Sequence, residues 1–325
     1  MTELYPLLFH TIFKDKIWGG EKIRTVLHKD FSPLPNCGET WELSGVDGNI
    51  SSVRNGSLAG TSLNEVLQQY GANLVGEKVY EQHGNDFPLL IKFIDANDDL
   101  SIQVHPNDEL AAQRHNSFGK TEMWYIMQAD EGATLYNGFD RPIDGDEYRS
   151  RVADNTILEV MHKQTVGEGD VYFIPAGRVH SIGKGILLAE IQQTSDITYR
   201  IYDFDRRDAE GNGRELHTEE SVNAIDYSLK DEYRSLYTSK VNKAVPVVEC
   251  PYFKTSVIDV SGSTEWSHEE RDSFSIFIVV SGEGSINCNG DFDLKTGDVL
   301  LIPASISNAK LFSENGCRII ETFIP

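Results

Sequence analysis

MWYIMQADEGATLYNG at residues 123–138 aligns without a gap on SIFIVVSGEGSINCNG at 275–290, sharing Ile126/Ile278, Glu131/Glu283, Gly132/Gly284, Asn137/Asn289 and Gly138/Gly290. Farther along, GDVYFIPA at 169–176 aligns on GDVLLIPA at 297–304. Self-similarity of this kind marks a repeated supersecondary unit. Both copies are rich in Ile, Val, Tyr and Phe and are punctuated by Gly, Asp or Asn, which is the pattern of short strands joined by tight turns. Between the paired blocks the first copy is 24 residues longer, because the offset falls from 152 to 128. The extra length around GFDRPIDGDEYRSRVADNTILEVMH is polar, and DNTILEVMH within it reads as a helix.

Strand, glycine turn, strand, then a Gly-Asp turn, a strand and Ile-Pro-Ala resembles the jelly-roll barrel of the cupin superfamily. The predicted fold is therefore mainly β, two cupin-like jelly-roll barrels with a few short helices. Helix starts are Ser62-Leu63-Asn64-Glu65, a capping box opening EVLQQY, then Asn107 before DELAAQRH and Thr218 before EESVNAI. A change of character over 228–248, SLKDEYRSLYTSKVNKAVPVV, marks a linker. The expected division is 1–235, carrying the chemistry, and 236–325, a second barrel without a metal site; 325 residues exceed one usual core.

Lys plus Arg is 29 against 51 Asp plus Glu, a formal charge of −22. Such a surface repels nucleic acid and anionic lipid, so neither is an expected partner. No apolar run approaches the ~20 residues of a membrane helix. The opening MTELYPLLFHTIFKDKIWGG lacks the basic start and cleavage site of a secretory signal, and Cys37, Cys250, Cys288 and Cys317 form no CxxC pair. Reduced thiols in a cytoplasmic protein are the expectation. Any phosphorylated ligand of so acidic a chain must be held by a local basic cluster.

Four residues carry the chemistry: Gln103 and His105 in SIQVHP, Glu122 in GKTEMW and His180 in PAGRVHSI. Positions i and i+2 of a strand share a face, so Gln103 and His105 can point into one barrel. Glu122 opens the next strand block and His180 follows the Ile-Pro-Ala turn. Two imidazoles, a carboxylate and an amide oxygen suit zinc with a further position open for water or substrate; iron accepts imidazole and carboxylate as well. A lone His on a strand is more often a bonded core residue, but the gapless alignment puts Phe274 at Glu122 and Asn308 at His180, so the barrel itself does not require these groups. One metal ion per chain, in the first copy, is the expectation. HExxH, GxSxG, a P-loop and GxGxxG are all absent, which removes zincin, α/β-hydrolase and nucleotide-binding readings.

KDKIWGG, GETWELS, LLIKFIDANDDLSIQVHPND, GKTEMWYI and IPAGRVHSIGKGILLAEIQQTSDITYRIYDFDR resemble the type I mannose-6-phosphate isomerases, in particular their short bacterial form. The resemblance implies zinc on Gln103, His105, Glu122 and His180, and Arg200 as the catalytic arginine with the acidic Asp196 beside it. It also implies Ser101 and Lys120 as substrate contacts and Trp18 as an aromatic pocket wall. A small sugar phosphate is then the expected partner, isomerised between aldose and ketose through an enediol-like state. Asp196, Lys120, a zinc-bound water and a nearby His are all open as proton-transfer groups; Lys120, two residues before Glu122 and so on its face, is assigned to the phosphate or sugar oxygens. A metal-dependent cupin dioxygenase and a non-catalytic sugar-binding cupin are the alternatives.

Overall fold

The computed structural model describes residues 3–207, 210–269 and 271–325. Its first twelve strands are β1 (Leu7–Leu8), β2 (Ile12–Lys14), β3 (Glu39–Leu43), β4 (Leu89–Ala96), β5 (Ile102–Val104), β6 (Glu122–Ala129), β7 (Thr134–Phe139), β8 (Met161–Thr165), β9 (Val171–Ile174), β10 (His180–Ile182), β11 (Ile186–Gln193) and β12 (Tyr199–Tyr202). Six more follow: β13 (Ala244–Glu249), β14 (Lys254–Ser267), β15 (Ser275–Asn287), β16 (Asp291–Lys295), β17 (Val299–Ile302) and β18 (Asn308–Phe323).

One sheet runs β2-β3-β4-β11-β6-β9 and a second runs β12-β5-β10-β7-β8. Side chains alternate across a strand. Trp124, Ile126, Leu188 and Tyr172 therefore enter a core with Leu135 and Ile182 from the second sheet, while Met123, Tyr125, Leu187 and Ala189 enter a larger core on the other side. Every residue of β4 and β11 is buried, so both strands read as near-continuous apolar runs. The larger core is shared with Ile276, Ile278 and Leu301 of the third sheet, β1-β17-β15-β18-β14-β13 with β16 on β15.

The third sheet uses strands of 13 to 16 residues, and register shifts at Val260/Gly262 and Gly282/Ser285 fold it around its own core of Trp266, Phe277, Val279, Leu300 and Ile302. Bulges bend a strand and increase its twist. Gly282 is needed at one of them, since its φ is +77° and a Cβ there would lie 2.1 Å from the Gly316 carbonyl oxygen. The fold is thus mainly β and cupin-type, but the expected barrels are looser: the sheets face or fold over one another without closing.

Helix Leu63–Tyr70 has the expected Ser62/Glu65 capping box, and Asn107 caps Asp108–His115 by accepting the Leu110 N–H at 2.9 Å. Two expectations are corrected. Thr218 is the first residue of helix Thr218–Ala224, whose N-cap His217 makes no side-chain cap bond. DNTILEVMH is not an α-helix: Asp144 starts the helix earlier, at Gly145–Ala153, Asn155 turns at φ +56°, and Ile157–Val160 forms only a 3₁₀ turn before β8. Of the expected linker, 228–243 carries no named element, whereas its last five residues already belong to β13.

Candidate active site and metal centre

Antiparallel pairing sets the geometry. His180 on β10 lies opposite Gln103 on β5, and Gln103 lies opposite Arg200 on β12. Glu122 opens β6 and reaches the same point from the facing sheet: its Oε2 is 3.5 Å from His105 Nε2 and its Oε1 is 3.4 Å from His180 Nε2. The ligand atoms of His105, Glu122 and His180 all lie within 4.8 Å of one another, and all three residues are buried. His105 Nδ1 contacts the Ile197 carbonyl at 2.9 Å and His180 Nδ1 the Arg178 carbonyl at 2.8 Å. A carbonyl partner requires the Nδ1–H tautomer, which leaves both Nε2 lone pairs free toward Glu122.

The donor set fits a divalent cation. Neither oxygen of the wholly buried Glu122 accepts a well-formed hydrogen bond. The Lys120 ammonium near Oε2 offsets part of the cost of burying this carboxylate, and a cation shared with the two imidazoles would offset more. Burial pushes the His180 imidazole down to about 3 and holds His105 well below the usual histidine range, with the Lys120 charge adding to it. Neutral imidazole is the form that ligates a metal. Burial, with the Glu190 charge behind it, raises the Glu122 carboxyl. Gln103 Nε2 is 3.3 Å from His180 Nε2, so turning its amide over would bring Oε1 to the same point. Lys120 Nζ lies 3.2 Å from His105 Nε2 and 3.3 Å from Glu122 Oε2 and is buried.

Beside this cluster is a cavity of about 300 Å³. Trp18, Ser101, Gln103, Lys120, Asp196 and Arg200, all expected from the sequence, line it. Trp18 is held by its own carbonyl, which accepts the Asn97 N–H at 2.9 Å, and its ring joins the first core. Five cationic side chains (Lys16, Lys92, Lys120, Arg200 and Arg214) face three acidic ones (Glu39, Glu190 and Asp196), an excess of two positive charges in a chain of −22.

The cavity, the cluster and the fold can be set beside known proteins. The family profile for the phosphomannose isomerase type I catalytic domain matches residues 7–132, and the mannose-6-phosphate isomerase cupin-domain profile matches 243–324. Mannose-6-phosphate isomerase ManA of Bacillus subtilis (strain 168) is 36% identical over 314 residues, covering 94% of this chain and 95% of that one. The chain belongs to the type I phosphomannose isomerase family. The crystal structure of the Bacillus subtilis mannose 6-phosphate isomerase superposes with a TM-score of 0.87 at 32% identity, covering 98% of this chain and 99% of that one. A zinc-bound mannose 6-phosphate isomerase structure shares the fold at a TM-score of 0.78 and 16% identity, covering 98% of this chain and 99% of that one.

Against the phosphomannose isomerase resemblance, the structure adds cavity residues that the sequence reading missed. Lys92 Nζ is 3.1 Å from Glu190 Oε1, and Glu190 Oε2 accepts the Trp124 indole N–H at 2.9 Å. Lys16 Nζ is 3.3 Å from Glu39 Oε1; burial would raise Glu39, but Lys92 and Lys16 hold its carboxyl down at about 2. The signal for Lys92 and Glu190 was a charge inside an otherwise apolar strand, as in LLIKFIDA and ILLAEIQQ. Asp196 and Arg200 both face the cavity, yet no ion pair joins them among the described residues.

The two copies correspond in space one residue away from their gapless sequence alignment. Glu122 pairs with Ile174, but Ile302, the counterpart of Ile174, pairs with Ser275. Ser275, and not Phe274, thus stands at the Glu122 position, one residue off the gapless alignment. Likewise Asn308 and its partner Ser267 are exposed, whereas the neighbouring pair Trp266/Ala309 faces the core as Gln103/His180 does. His268 then follows Trp266 by two, as His105 follows Gln103. Glu321, opposite Phe277, matches Glu190, opposite Trp124, and accepts Trp266 Nε1 at 3.1 Å. Of the four ligand types the second copy keeps one histidine, with Trp, Ser and Ala at the other positions.

Proposed function

We propose that this chain interconverts mannose 6-phosphate and fructose 6-phosphate with one zinc ion per chain, held by Gln103, His105, Glu122 and His180. The carrying observation is the pair of carbonyl-anchored histidines presenting Nε2 to a buried, hydrogen-bond-free carboxylate beside a cationic cavity. The ion, when bound, would supply Lewis-acid polarisation of the substrate carbonyl. Arg200, beside Gln103 in register, offers a permanent cation where negative charge develops on oxygen in an enediol-like state. Trp18 and Ser101 line the sugar's berth, and Lys120 directs its ammonium to the ligand cluster. One proton leaves C2 and one is delivered to C1, while hydrogen is exchanged between O1 and O2. We assign that transfer to Asp196 and Lys120; Asp196 is exposed in the cavity wall and free of ion pairs with described residues.

The division into a catalytic unit, 1–235, and a second barrel without a metal, 236–325, belongs to the same reading, as does a cytoplasmic location. Four buried free thiols support the latter, and no helix of the described residues is long and apolar enough to cross a membrane. Family membership weighs against a dioxygenase, since zinc has no redox chemistry. A coupled assay for fructose 6-phosphate on purified, metal-loaded protein tests the proposal. Turnover of mannose 6-phosphate is expected, and its absence would contradict the assigned reaction.

A further inference from the structure

With the adjoining Glu122 counted beside the three lining carboxylates, one net positive charge remains at the cavity, and it has a location. Lys16, Lys92 and Lys120 each lie 3.1–3.3 Å from a carboxylate, on Glu39, Glu190 and Glu122 respectively. Arg200 and Arg214 remain. Arg200 donates from one Nη to the Glu215 carbonyl at 2.9 Å, and its buried Nε has no partner. Arg214 donates its Nε to Asp203 Oδ2 at 2.7 Å and one Nη to Oδ1, but the same carboxylate also takes Arg206 at 2.6 Å. Asp203 serves both guanidiniums, Asp98 reaches only Arg206, at 4.0 Å, and a third guanidinium stands nearby: burial, then the Arg214 charge, holds Arg200 below the usual arginine range although Asp203 and Glu215 act the other way. Like charges gathered at a cavity wall are unfavourable unless an anion joins them.

The two arginines are not equivalent. Arg200 lies in β12 opposite Gln103, at the reacting end. Arg214 lies on the segment after β12, which returns to the cavity through the Arg207/Gly213 bridge and the His217 N–H bonded to the Arg200 carbonyl at 2.7 Å. Its side chain is 33% exposed, and the bidentate grip of Asp203 fixes the plane of its fork. In a hexose 6-phosphate the phosphate is remote from C1 and C2. Resting on the isomerase reading above, we propose that Arg214 recognises the substrate phosphate, the planar fork pairing with phosphate oxygens, and so sets the preference for phosphorylated over free sugar.

Two variants test this. Arg214→Ala removes the cation, and Arg214→Gln removes the charge while keeping a donor toward Asp203, so that loop placement and anion binding separate. Calorimetry with inorganic phosphate is expected to show affinity falling about 10- to 100-fold in both. The KM for mannose 6-phosphate should rise by a similar factor, far more than kcat falls, while binding of unphosphorylated mannose and zinc content hold. Arg214→Lys should recover part of the loss. Wild-type phosphate affinity in Arg214→Gln would overturn the proposal, as would equal losses for mannose and mannose 6-phosphate. Phosphate binding that depends on Arg214 in a wild-type protein without turnover would sustain this anion site and contradict the isomerase reading instead.

Discussion

Replacing Lys92 with Met tests the charge network behind the metal centre. Lys92 is 5% exposed and Glu190 3%, and their ion pair is 3.1 Å long. Removing one partner of a buried pair costs about 3–5 kcal/mol at neutral pH, because the other charge is left uncompensated. With an unfolding entropy of roughly 2.1 cal/mol/K per residue, about 0.7 kcal/mol/K here, the melting temperature should fall by about 4–7 °C. Burial acts most strongly, to raise the Glu190 carboxyl, but Lys92, then Lys120 and the Trp124 indole N–H, together outweigh it and hold the group below its ordinary 4.5. Without Lys92, burial wins and the folded-state value rises above the unfolded one. The penalty is then absent where both states are protonated and grows as pH climbs from the unfolded value through the raised folded one. Thermal melts should therefore show a small deficit near pH 4.5 and the full deficit at pH 8. Adding Glu190→Gln should restore part of it, since a neutral amide costs less to bury unpaired. An equal deficit at both pH values, or no recovery in the double variant, would refute this reasoning.

Arg200→Ala should lower turnover per metal-loaded molecule by about 10²- to 10³-fold, with the melting curve nearly unchanged because no Asp196–Arg200 ion pair exists among the described residues; near-normal turnover would remove Arg200 from the mechanism. Burial raises the thiols of Cys37 and Cys317 to about 11 and of Cys288 to about 12, and it raises Cys250 too. A colorimetric thiol reagent at pH 8 should therefore label the native chain slowly and all four cysteines after denaturation, and rapid labelling of the native protein would contradict that burial.

The clustering of Gln103, His105, Glu122 and His180 was legible because Gln103, Glu122 and His180 sit in strands and His105 directly follows β5, where period two still decides the facing, and because turns of glycine and Ile-Pro-Ala fix where the strands begin. Lys92 and Glu190 were not, since β4 and β11 are buried on both faces and a charge in such a strand is read as an interruption of apolar pattern. Two-sided burial of the first six residues of β6 and β15 likewise hid the one-residue register difference between the copies: a slip flips every side chain to the other face, yet both faces are buried there. Arg214 lies in a polar segment with no periodicity, where only the return of the chain onto Arg200 reveals its place. Closure failed as an expectation for a related reason, because bulges at Gly262 and Gly282, and not the strand pattern, determine how the third sheet folds over.

The most direct measurement is elemental analysis and the isomerase assay on the same samples: wild type as purified, after chelation, after zinc is restored, and His180→Ala. One zinc per chain in the wild type is expected, with activity falling and returning in step with it, and a His180→Ala chain low in both. Full zinc occupancy in His180→Ala, or undiminished turnover in metal-free protein, would contradict the account.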